Sequence, residues 1–152
     1  MKQTSLDLQY TLDSWLLKFE GFFRSNSDED FTAFVSGFEY SFYGLIGPTD
    51  LGLLAEYNFD SRGSDSVTGL QNDLFTGLRW VMNDSQSSEL LFGLIFDLEA
   101  SSKLLFLEVQ RRLNDRWSLS FEVRAFIDTA PDDFFFTARQ DSFTQLEATF
   151  FF

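Results

Sequence analysis

Apolar and polar residues alternate along most of this chain. Leu6, Leu8, Tyr10 and Leu12 are separated by Asp7, Gln9 and Thr11. Trp117, Leu119, Phe121, Val123 and Ala125 are separated by Ser118, Ser120, Glu122 and Arg124. A period of two marks a β-strand with two unlike faces, because successive side chains leave the backbone on opposite sides. The pattern predicts strands near 5–12, 15–24, 31–43, 50–60, 72–82, 89–99, 103–113, 117–127 and 142–152, with a short tenth piece at 134–139. Turn-forming runs stand between them: DS (13–14), SNSDED (25–30), GLIGPT (44–49), SRGSDSVTGLQ (61–71), NDSQSS (83–88), ASS (100–102), ND (114–115) and DTAPDD (128–133). No helical period competes. Strands of soluble domains average about 5–6 residues. Most of these approach the roughly 9–11 tilted residues that cross a bilayer.

The charges follow the same period. On one parity lie Asp7, Lys18, Glu20, Arg24, Glu39, Glu56 and Arg79, and then Asp97, Glu99, Glu108, Arg112, Glu122, Arg124 and Glu147. On the other parity the strand interiors show one ionisable residue, Arg111, beside the turn at 114–115, where a long side chain snorkels to an interface. Two arrangements produce such a pattern. A soluble antiparallel sheet buries the apolar face and wets the charged one. A transmembrane barrel turns the apolar face to lipid and the charges inward. Three features favour the second. The charged parity also carries Leu16, Phe22, Leu54, Phe75, Leu91, Ile95 and Phe106, a mixture suited to a packed interior. Trp15, Trp80 and Trp117 flank alternate turns, which lie on one rim of a meander, as an aromatic girdle does. The chain also closes on an apolar alternating strand, FTQLEATFFF, with Phe150 and Phe152 on the lipid parity together with Leu146 and Ala148.

Composition narrows the chemistry. The 152 residues are enough for one domain, spanning 1–152. They include 21 Phe, 3 Trp and 4 Tyr, yet the formal net charge is -13. That acidity and the lack of a basic stripe exclude a nucleic-acid partner. No apolar run is long enough for a membrane-spanning helix. The N-terminus lacks the apolar core of a secretory signal. There is no Cys and no His, so disulfides, thiol chemistry and His-dependent triads are absent. Asp97 and Glu99 read as lumen charges rather than as an acid/base pair. The acidic runs Asp28, Glu29, Asp30 and Asp132, Asp133 lack a calcium-loop pattern and read as solvated loops. The chain is therefore expected to be no enzyme and to carry no cofactor or metal.

The segments QNDLFTGLRWVMND and LEVQRRLNDRWSLSFEVRAF, with the closing strand, resemble the C-terminal portion of porin-like outer-membrane proteins of Gram-negative bacteria. The resemblance implies an all-β, antiparallel up-and-down transmembrane β-barrel, here of about eight to ten strands, in a bacterial outer membrane. It also implies that Phe150 and Phe152 form part of a signal read by the outer-membrane insertion machinery. Such relatives are longer and begin with a signal peptide, so the resemblance implies a shortened or engineered chain. Orientation raises a conflict. If the C-terminus shares a rim with the short turns, 134–139 does not span and nine strands result, whereas simple antiparallel closure needs an even number.

The expected partners are a lipid bilayer or detergent and the insertion machinery, with a homo-oligomer left open. In a small barrel, Lys18, Arg24, Arg79, Arg112 and Arg124 should interleave with Glu20, Glu39, Glu56, Asp97, Glu99, Glu108, Glu122 and Glu147, forming a network that plugs the lumen. In a larger barrel the same acidic excess would favour cations. Two other readings stand beside this one: a structural or engineered barrel scaffold without transport, and a soluble lipocalin-like ligand-binding barrel.

Overall fold

The computed structural model describes residues 1–152 apart from Asp28, Ser101, Asp132, Asp133 and the side chain of Phe134. The acidic runs at 28–30 and 132–133 therefore fall partly or wholly outside the described residues. Nine strands follow one another: β1 (Lys2–Leu12), β2 (Trp15–Ser25), β3 (Asp30–Ile46), β4 (Thr49–Asp60), β5 (Asn72–Val81), β6 (Glu89–Asp97), β7 (Lys103–Arg112), β8 (Trp117–Asp128) and β9 (Phe143–Phe150). They form one antiparallel meander in sequence order. The nine full-length strands that alternation predicts are all present, displaced by a few residues at their ends. The largest shift is in β3, which runs on through a register irregularity after Phe42 to a two-residue turn. There Ile46 pairs with Thr49 across Gly47 and Pro48, and Gly47 takes the φ of +65° that the turn requires.

Two expectations are corrected. The sheet is not closed into a barrel: β1 pairs only with β2, and β9 only with β8. The 134–139 piece is not a tenth strand but a 3-10 turn, Phe134–Ala138. Three successive Phe residues give no two-faced pattern.

The register fixes the faces. One row runs from Leu12 through Trp15, Tyr40, Leu53, Leu78, Phe92, Leu107 and Val123 to Thr144. The adjacent row, Tyr10, Leu17, Phe38, Ala55, Thr76, Leu94, Leu105 and Ala125, is apolar except for Thr76. Besides Arg111, the ionisable residues of that face are Lys2, Asp30 and Lys103, each the first residue of its strand, and Asp128, the last residue of β8, which a register irregularity sets opposite Lys103 and which pairs with it at 3.3 Å. On the opposite face one row reads Asp7, Glu20, Val35, Asn58, Asp73 and Asp97. Another reads Leu54, Gly77, Gly93, Phe106, Arg124 and Phe143.

The two rims differ. The turns at 13–14, 47–48, 82–88 and 113–116 lie on one rim with the end of β9. The connections 26–29, 61–71, 98–102 and 129–142 lie on the other. Trp15, Trp80 and Trp117 all sit at the short-turn rim, and Trp117 packs against Phe150 with ring centroids 5.0 Å apart. With nine strands, the C-terminal Phe residues and the short turns share a rim, and the first and last strands run in the same direction.

Burial is inverted. Among the described residues the one buried large apolar side chain is Phe31, while Asn58, Asp60, Ser66, Gln71, Asp73, Ser88, Asp97 and Ser102 are buried. Leu6, Leu8, Tyr10, Leu17, Phe38 and Leu53 are exposed. The chain exposes 10079 Å², against roughly 7,900 Å² for a compact soluble chain of this mass.

Candidate functional site: the charged face

Three layers succeed one another on the charged face. Nearest the long-loop rim is a polar layer in which Asn58, Asp73 and Asp97 are successive cross-strand partners. Asp73 is fully buried and Asp97 nearly so. Burying a carboxylate demands hydrogen bonds. Asp73 Oδ2 accepts from Asn72 N at 3.1 Å. Asp97 Oδ1 accepts from Glu99 N at 2.7 Å and Ala100 N at 2.6 Å, which folds the β6–β7 connection back onto the strand end. Ala130 N donates to Ser102 Oγ at 3.0 Å, and Phe135 packs on Phe126 at 6.0 Å. The 129–142 segment is thereby laid against this end of the sheet. Beside it, Arg62 stacks over Phe31 at 3.8 Å and its Nε donates to Asp60 Oδ1 at 2.9 Å. This pins the β4–β5 connection over the same rim.

The middle layer is apolar. Phe75 and Phe106 stack with centroids 5.5 Å apart and planes 12° from parallel. They lie over Gly77 and Gly93, which are opposite each other. A Cβ on Gly93 would fall 2.5 Å from both rings, and one on Gly77 would fall 2.6 Å from Phe75. Only glycine allows the rings to lie flat here. Gly37 and Gly52 are on the same face, so bulk is removed repeatedly from one side, as a sheet curved toward that side requires.

Below, toward the Trp rim, lies an acidic concavity of about 360 Å³ lined by Arg79, Glu89, Glu108, Glu122 and Glu147 with neutral neighbours. Glu108 and Glu122 are directly opposed. Arg124 Nε donates to Glu122 at 2.6 Å, and Arg79 pairs with Glu39 at 3.4 Å.

The register places the charges predicted for one parity on one face, with a single exception in position. Glu99 lies beyond the end of β6, where its Oε1 accepts from Asn72 Nδ2 at 3.1 Å. The face brings Arg79 to Glu39 and Arg124 to Glu122. Arg24 instead holds Gln3, at 2.8 Å and 3.0 Å. Lys18, Arg112, Glu20, Glu56, Glu108 and Glu147 line the face without an ion pair among the described residues. The Trp residues and Phe150 gather at one rim, and Phe152 extends beyond β9. Asn58, Asp60, Asp73 and Glu89 are not singled out by the sequence pattern, although each lies on the charged parity of its strand. They sit near strand ends, where a polar residue looks like part of a turn. Their parity is the signal that could have found them. The backbone N–H and hydroxyl of Ser88, and to a lesser extent the charge of Arg111 on the apolar face, hold the Asp84 carboxyl in the 82–88 turn below its usual range.

No family model, curated protein or solved structure matches this chain.

Proposed function

We propose that this chain is an integral outer-membrane β-barrel protein, porin-like in kind, with its apolar face against lipid and its charged face inward. The supporting observation is the inverted burial. A soluble sheet of this size would hide its Leu and Phe residues, whereas here Leu6, Leu8, Leu17, Phe38 and Leu53 stay exposed while Asp60, Asp73 and Asp97 are sheltered at the long-loop rim. In water such an exposed apolar face is an aggregation surface; in a bilayer it is the required solvent-facing side. The role is structural or conductive, not catalytic. The acidic vestibule attracts cations, while the Phe75–Phe106 layer and the loops at the far rim obstruct their passage.

The test is the environment the chain needs. Refolded chain should give sheet by far-UV circular dichroism in detergent or lipid, with anomalous mobility of an unboiled sample on a gel. A folded, monodisperse protein in plain buffer would overturn the proposal in favour of a soluble ligand-binding sheet.

A further inference from the structure

The sheet has two long unpaired edges, β1 and β9. Within a bilayer an exposed edge is untenable, since no water is present to satisfy its N–H and C=O groups. Both edges are odd-numbered strands of a strict meander, so they run in the same direction. We infer that β1 and β9 of one chain pair with each other in parallel, closing a nine-stranded barrel with Phe150 opposite Tyr10, Ala148 opposite Leu8 and Leu146 opposite Leu6. This rests on the membrane reading above.

The rims set the register of the seam. Phe150 packs on Trp117, and Leu12 is opposite Trp15. Both Trp residues belong to the short-turn rim, so Phe150 and Leu12 stand level. The hydrogen-bonded row that leaves Leu12 arrives on β9 at Thr144, six residues above Phe150. The climb is therefore six residues over eight steps between strands. A step of two residues at the seam, the smallest climb that keeps the apolar face outward, puts Tyr10 beside Phe150 and Thr4 beside Thr144. The row that left Leu12 then returns eight residues higher on the same strand. Eight residues of about 3.3 Å over nine strand spacings of about 4.8 Å correspond to a strand tilt of roughly 31°. Natural barrels tilt by about 35–45°, so closure with this seam gives a tilt a few degrees below that range. The four inner-face glycines point to closure by the same chain rather than a second copy. A ring of two copies would halve the curvature at each strand, and less bulk would have to be removed from the inner face.

The chain has no cysteine, so two introduced thiols report on each other alone. In detergent-refolded Leu8→Cys/Ala148→Cys, a short bis-thiosulfonate reagent should consume both thiols and leave a monomer on a non-reducing gel. Leu8→Cys/Leu94→Cys, on distant strands, should stay uncrosslinked. A crosslinked dimer would replace the seam with a contact between copies, and two free thiols in folded protein would abolish it. Amide exchange in the unmodified chain tests the seam without any substitution. Closure protects β1 amides as β2 amides are protected, whereas an open edge leaves alternate β1 amides exchanging freely. Failure of the membrane reading appears separately, as folding without detergent.

Discussion

At the scale of single residues, the two faces make opposite demands one position apart. Leu94 lies between Thr76 and Leu105 on the apolar face, while Ile95 lies between Phe75 and Leu104 on the charged one. Leu94→Arg should destabilise the folded state in lipid by about 2–4 kcal/mol, as a cation near the midplane of the lipid face does. Ile95→Arg should cost less, because acidic partners lie on its own face. Denaturant unfolding in lipid vesicles ranks the two, and a larger loss at Ile95 would reverse the assignment of faces. Parity made this contrast legible in the sequence. What parity does not carry is depth. Asp73 and Asp7 have the same parity in the sequence and share one row of the sheet, yet Asp73 is fully buried and Asp7 is exposed. Loops fold over the rim above β5 and β6, whereas β1 is an edge strand with a neighbour on one side and is exposed along its whole length.

At the scale of elements, the turns show how local chemistry fixes a hairpin. Asp84 in the 82–88 turn accepts from the backbone N–H of Ser88 at 2.8 Å and from its hydroxyl at 2.8 Å. These bonds favour the carboxylate and, with the charge of Arg111, hold its pKa below the usual value. A carboxyl lowered by folding adds stability that is fully present above its ordinary pKa. That stability is lost as pH falls through the lowered value. The Ser88 amide should therefore be protected from exchange at neutral pH and lose protection on acidification below the ordinary carboxylate range. Asp84→Asn should show fast exchange at both ends of the titration. Protection that stays level across the titration would mean that Asp84 does not hold the turn. Strand existence was legible because a period of two survives over eleven residues. The fate of 134–139 was less so, since three consecutive Phe residues are apolar enough for a strand and carry no alternation to confirm one. The 17-residue β3 exceeds its sequence limits because Gly44 reads as a break. In the structure Gly44 lies within the strand, at the irregularity, with φ of +63°.

At the scale of the whole molecule, strand number decides conduction. An interior of about nine strands is filled by its own side chains, whereas about sixteen leave a water channel. A single chain should therefore show little or no steady current in a planar bilayer. If copies merge into one wider ring, the acidic face should give a cation-selective current whose selectivity weakens as salt screens the carboxylates. Reversal potential in a salt gradient reads this directly. Steady conductance from a proven monomer would refute the obstructed interior, and anion selectivity would refute an acidic one. All-β class, meander order and shared faces were legible in the sequence because each is set by neighbours along the chain. The open sheet was not, because whether the first and last strands pair depends on residues separated by the whole length of the chain, and no local pattern records it. That same meander has a consequence for folding. Extensive strand contacts join only sequence neighbours, from β1 with β2 to β8 with β9. Such a chain behaves as a one-dimensional zipper, in which each hairpin adds a similar increment and partial structures stay populated. A single seam between first and last strands would change that. It would be the one contact that every hairpin must precede, and its formation would turn a graded zipper into an all-or-none transition.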